Sequence, residues 1–244
     1  MKHEDRKLFV GNVAFIGIFA LIFIGYCMLT SRLTYDADIS KSASADLEEN
    51  KTIVIDAGHG GEDGGAVGIN GVLEKDLNLI ISNDLCELFE FAGYNVISTR
   101  KEDVMLYDKN VDHTGRKKAA DLASRLAIAK DAMPDLFVGI HMNSFPQEKY
   151  SGLTVYYSDK TPSSLSAAEH LRQSVVSALQ QQNNRETKSG NNIYLWNRAP
   201  YPAILIECGF LSNPAECDLL STQEYRHKLS FVIFTSLASF LEEN

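Results

Sequence analysis

TIVIDAGHGG, residues 52–61, couples a β-branched apolar run to a glycine turn, and its reading decides the fold class. Residues 52–56 form a short run bounded by glycines, the pattern of a buried core strand rather than of a half-exposed one. Gly58, Gly60 and Gly61 let the chain turn sharply and leave the His59 imidazole projecting from the strand end. This turn is not a phosphate loop. A Walker motif would close on Gly-Lys-Ser/Thr, and a dinucleotide loop would run as G-x-G-x-x-G straight into a helix.

Outward from this stretch, strands and helices alternate. Residues 74–92 place Leu77, Ile80, Ile81, Leu85, Leu88 and Phe89 at helical intervals, and Gly93 supplies the stop. Residues 95–99 read as a second strand, 116–132 as a helix, and 136–140 as a continuous apolar strand ending at His141. A fourth strand is expected over 152–157, a helix over 164–182, a weak fifth strand over 192–195 and a strong sixth over 203–206. One amphipathic helix over 221–241 closes the chain. The order predicts a single α/β domain: a mostly parallel six-stranded sheet flanked by helices on both faces.

The composition is that of a globular rather than a disordered chain, with 45% hydrophobic and 23% charged residues in 244. A formal net charge of -9 without a basic stripe argues against nucleic acid as a partner. Cys27, Cys86, Cys208 and Cys217 show no CxxC pairing, so free thiols are expected; a Cys208–Cys217 bridge would need close backbone approach.

Residues 8–29 contain only Asn12 as a strongly polar residue. At about 1.5 Å per residue such a run spans a hydrocarbon core of about 30 Å. Lys2, Arg6 and Lys7 precede it and only Arg32 follows before an acidic stretch, which leaves the N-terminus in the cytoplasm and exports the rest. An uncleaved anchor is favoured over a cleaved signal, because the run is long and the small-x-small site at Ala43-Ser44-Ala45 lies well beyond it. The expected organisation is therefore residues 1–32 as cytoplasmic N-terminus and membrane anchor or signal, 33–50 as polar linker and 51–244 as catalytic domain.

In open α/β sheets, sites collect at the carboxyl ends of strands. His59, His141 and Glu207 each follow an expected strand closely, and Glu74 opens the first helix. Two imidazoles and a carboxylate are a common ligand set for catalytic zinc, which leaves one tetrahedral position for water. A nearby acid such as Glu207 is what amide hydrolysis requires as general base. Each residue also has a plainer reading. A lone histidine after a strand is often a hydrogen-bonded structural residue, and Glu74 alone would be favoured by the helix dipole.

Several ordered blocks carry a family resemblance: IVIDAGHGGEDGGAVG from Ile53 with Glu74 beyond it, STRKED at 98–103, SRLAIA at 124–129, LFVGIHMNS at 136–144, GLTVYYS at 152–158 and PAILIECGFLSNPAE at 202–216. The chain resembles the zinc-dependent N-acetylmuramoyl-L-alanine amidases of the amidase 3 type over about residues 52–241. The resemblance implies Zn2+ on His59, Glu74 and His141, with Glu207 as catalytic acid/base. It also implies a peptidoglycan substrate, cut between muramic acid and the first alanine of the stem peptide. One departure is Lys130, where the family often carries asparagine. Asp56 is a candidate to orient His59 or to cap the glycine turn, and Asn143 and Arg198 are candidate substrate contacts or ordinary loop hydrogen-bonders. The compact domain behind an anchor is similar to the germination-specific amidases that modify spore cortex peptidoglycan. With no wall-binding repeat evident, targeting or activation is expected from an envelope protein.

Overall fold

The computed structural model describes residues 50–243. The anchor expected over residues 8–29 and all of the linker expected over 33–50 except Asn50 lie outside the described residues. Among the described residues, no helix is long and apolar enough to cross a membrane.

Six strands form one sheet: β1 (Thr52–Ala57), β2 (Asn95–Ser98), β3 (Leu136–Asn143), β4 (Thr154–Tyr157), β5 (Lys188–Ser189) and β6 (Ala203–Phe210). They are ordered β2-β1-β3-β6-β4-β5. All neighbouring pairs are parallel except β4 with β6. The helices are α1 (Glu74–Phe91), α2 (Lys117–Ala132), α3 (Pro162–Ala178), α4 (Pro214–Ser221) and α5 (Gln223–Glu243).

Successive side chains on β1 go to opposite faces. Ile53 and Ile55 join Leu77, Ile81 and Leu85 of α1, Leu171 of α3 and Ile233 and Leu237 of α5 in one fully shielded core. Val54 faces the other way, into a smaller cluster with Leu126 and Ala129 of α2, Phe137, Trp196 and Tyr201. Both faces are therefore covered, which explains why the strands read as unbroken apolar runs. Gly139 is part of that packing. A Cβ there would lie 2.4 Å from the Trp196 ring, so the indole can lie against the sheet only over a glycine.

Two expectations are corrected. Residues 192–195 are not a strand: they turn into a short 3-10 helix, Trp196–Arg198, and the fifth strand is the two-residue Lys188–Ser189. Leu195 and Trp196 are apolar because they bury against the second cluster, not because they join the sheet. The closing helix expected over 221–241 forms as α5, but an unexpected helix, α4, precedes it, and the two are separated at Thr222, whose backbone is extended (φ -86°, ψ 137°). Asn213 caps the first of them by accepting from the Glu216 amide, with Pro214 in the first turn, a strong start signal. Cys86, Cys208 and Cys217 are free and buried.

Candidate metal centre

Three carboxyl-end segments and one helix start converge on a single point. β1 runs out at Ala57 and the chain turns through Gly58 and His59. His59 takes φ 61°, a left-handed conformation uncommon outside glycine, though histidine tolerates it better than most residues. Backbone strain of this kind typically costs about 1–3 kcal/mol and persists only where the surroundings enforce it. β3 carries His141 inside the strand rather than after it, and β6 carries Glu207 as its direct partner across the sheet. Glu74 opens α1, where the helix dipole favours a carboxylate.

The three side chains meet closely. Glu74 Oε1 lies 3.2 Å from His59 Nε2 and 3.0 Å from His141 Nδ1, and the two rings meet edge to face at 5.1 Å. One donor atom from each residue falls within 4.8 Å of the others, so His59, Glu74 and His141 form a group able to hold a metal ion. Glu74 is 4% exposed and is fixed by backbone amides: Ala66 N donates to Oε2 at 2.8 Å and Met142 N to Oε1 at 3.1 Å. Burial would raise its pKa, but the hydrogen bonds and charges of His141 and His59 outweigh that and hold it well below the usual carboxylate range. Burial likewise lowers the His59 pKa, and Glu74 and Asp63 more than reverse it.

Two glycines make room for this approach. A Cβ on Gly58 would lie 2.3 Å from the His141 ring, and one on Gly65, at φ +68°, would lie 2.6 Å from Glu74 Oε2 and 2.8 Å from His59 Cδ2. Only a bare backbone fits beneath these side chains.

Glu207 differs from Glu74 in being left alone. Its Oε2 is shielded from solvent and has no hydrogen-bond partner. Burial first, and the charge of Glu74 second, push its pKa up to about 7, against the opposing pull of His141 and His59. A carboxyl held near neutrality can both take and release a proton.

The four residues singled out in the sequence are thus brought together, while the secondary candidates are not all placed as expected. Asp56 touches neither the His59 ring nor the glycine turn; its Oδ1 accepts from Thr99 Oγ1 at 2.6 Å and from Arg125 Nη1 at 2.7 Å. The carboxylate beside the His59 ring is Asp63, with Oδ2 3.0 Å from Nδ1, close enough for an ion pair though without hydrogen-bond alignment, and 3.1 Å from Lys118 Nζ. Its position four residues after His59 in a glycine-rich turn was the signal available in the sequence. Asn143 ends β3, and its carbonyl accepts from the Leu211 amide at 2.8 Å. Arg198 lies over the Tyr194 ring at 4.0 Å and donates to the Tyr194 carbonyl, an ordinary local contact.

This geometry has counterparts in known proteins. The family model described as N-acetylmuramoyl-L-alanine amidase, Amidase_3, matches residues 53–239. The germination-specific N-acetylmuramoyl-L-alanine amidase of Bacillus subtilis is 34% identical over 193 residues, which cover 79% of this chain and 81% of that one. The CwlD amidase from Clostridioides difficile, solved in complex with the GerS lipoprotein, superposes with a TM-score of 0.76 at 38% identity, covering 80% of this chain and 100% of that one. AmiC2 of Nostoc punctiforme, an N-acetylmuramoyl-L-alanine amidase, gives a TM-score of 0.67 at 30% identity over 79% of this chain and 97% of that one. With the family pattern spanning the whole sheet and the converging His59, Glu74, His141 and Glu207, this chain belongs to the amidase 3 family of N-acetylmuramoyl-L-alanine amidases, hydrolases of peptidoglycan.

Proposed function

We propose that the chain is a zinc amidase of the cell envelope in which His59, Glu74 and His141 hold the metal and Glu207 moves the proton. The observation that carries this reading is the half-buried Glu207 carboxyl, whose shielded Oε2 has no hydrogen-bond partner, beside a His–Glu–His group. Two imidazole nitrogens and one carboxylate oxygen suit zinc and leave room for a further ligand. The carboxylate of Glu74, lying between both rings within 3.2 Å, fits a ligand poised for a cation.

Held by His59, Glu74 and His141, zinc would supply Lewis acidity, lowering the pKa of a water and offsetting the negative charge that develops on the carbonyl oxygen. Glu207 takes the proton of the attacking water on its carboxylate. The water oxygen bonds to the lactyl carbonyl carbon, the carbon–nitrogen bond breaks, and Glu207 returns the proton to the departing alanine amine. A pKa near 7 suits a group that must act first as base and then as acid.

The likeness to a germination-specific amidase supports a role in spore cortex modification, and the likeness to an amidase solved with a lipoprotein supports an envelope protein as targeting or activating partner. The basic N-terminus followed by the apolar run over residues 8–29 supports an exported, membrane-anchored enzyme.

The test is mass spectrometry of peptidoglycan digested by the full-length protein with added zinc, beside Glu207→Gln. The amidase leaves muramic acid free of peptide, and the variant leaves stem peptides intact while still binding zinc. Cleavage within the stem peptide would make the protein a peptidase instead. If the wild type binds zinc yet acts on nothing, with or without an envelope lipoprotein, it is a binding module. Full activity with zinc alone would remove the need for a partner.

A further inference from the structure

Behind the candidate metal centre, two buried arginines from different elements reach the same short run of backbone. Arg125 of α2 is 1% exposed and Arg100, just beyond β2, is 3% exposed. Arg125 Nη1 donates to the Ala57 carbonyl at 2.6 Å and Nη2 to the His59 carbonyl at 2.6 Å. Arg100 Nε donates to the Ala57 carbonyl at 2.8 Å and Nη2 to the Gly58 carbonyl at 2.9 Å. Three successive carbonyls, those of Ala57, Gly58 and His59, are thus held from below by two guanidinium forks. The forks are themselves anchored: Arg125 pairs with Asp56 at 2.7 Å and with Asp121 at 2.8 Å, and Arg100 also donates to the Lys75 carbonyl in the first turn of α1.

The geometry points to Arg125 and Arg100 as positioning residues that hold His59 in its left-handed conformation and so preorganise it to bind metal. This rests on the zinc reading given above. A strand end must find partners for its carbonyls, but one amide or water per carbonyl would do that. Here a planar fork spans the peptide groups on both sides of Gly58 and His59, the two residues whose rotation would swing the imidazole away. Lysine presents all its donors from one nitrogen and cannot reproduce that planar fork. The same arginine that fixes His59 is fixed by Asp56, which gives that buried acid an indirect part in the site. Because Arg100 also touches α1 one residue beyond Glu74, the cradle ties the segment bearing one ligand to the helix start bearing another.

Zinc dissociation constants measured by competition with a chromogenic chelator, on the full-length protein with thermal unfolding recorded in parallel, separate positioning from general stability. Arg125→Lys should weaken zinc binding by about 10–100-fold, the range usual for groups that orient metal ligands. Leu237→Ala, a fully buried α5 position away from the centre, should lower the unfolding temperature and leave zinc affinity unchanged. Should Arg125→Lys fail to fold, Arg100→Lys decides, since it removes the fork on Ala57 and Gly58 and leaves the Arg125 ion pairs in place. Its expected result is again weaker zinc binding beyond that of Leu237→Ala at equal loss of stability. Wild-type affinity in the folded lysine variants would overturn the proposal, as would equal weakening in Leu237→Ala. A wild-type protein that binds no zinc would instead overturn the metal reading itself.

Discussion

Replacing Glu207 with glutamine in the metal-free protein should make stability less sensitive to pH, with a size set by burial. Glu207 ordinarily titrates at 4.5 and in the folded protein at about 7, so between these values the folded state holds a proton that the unfolded chain has released. Stability then falls as pH rises through this window, because the native state binds more protons than the unfolded one. The stabilising contribution is fully present below 4.5 and lost above 7. At about 1.4 kcal/mol per pH unit the gap amounts to about 3 kcal/mol. The substituted amide has no such proton to lose. Urea unfolding of chelator-treated wild type and Glu207→Gln at about pH 4 and about pH 8, on either side of the window, measures the effect. The variant's stability relative to wild type should rise by about 3 kcal/mol from acid to alkaline pH. Using the change with pH removes any constant penalty for an unpaired amide in the variant. Saturating zinc should shrink the pH-dependent difference between wild type and variant, since a nearby cation favours the carboxylate. A difference that stays flat across pH without metal would refute the burial argument and, with it, the match of Glu207 to proton transfer at neutrality.

Two glycine substitutions separate the centre from the core. Gly58→Ala places a methyl 2.3 Å from the His141 ring, so the imidazole must move aside; zinc affinity should drop at least about tenfold while circular dichroism stays native. Gly139→Ala drives a methyl against Trp196 at 2.4 Å, and urea unfolding should show a loss of about 1–3 kcal/mol from overpacking, with zinc affinity changed far less than in Gly58→Ala.

The sequence by itself determined the alternation of strands and helices and the doubly covered sheet, because burial on both faces leaves unbroken apolar runs such as residues 136–140. It also located the candidate site, since His59, His141 and Glu207 stand where apolar strands emerge and parallel strands gather their ends on one edge. Their assignment as ligands and base came from ordered family blocks, not from spacing, which lies too far apart for a compact motif.

What only the tertiary structure decided are choices between residues distant in the chain or alike in composition. Residues 192–195 are apolar whether they pair with a strand or bury a turn, and Leu195 and Trp196 chose the turn by packing on Phe137 and its neighbours. α4 escapes helical periodicity because it is only 8 residues long and buries just Cys217 and Leu220. Asp56, adjacent to the glycine turn, is placed by sequence to orient His59 or to cap that turn, but its strand position turns it toward Arg125, and the ring is left to Asp63. The fork of Arg125 on His59 joins residues 66 apart. Periodicity records only which side of an element is buried. Which donor reaches which acceptor is set by strand order and by how helices lie across the sheet, and that is known only once β1 lies between β2 and β3 with α2 packed behind it.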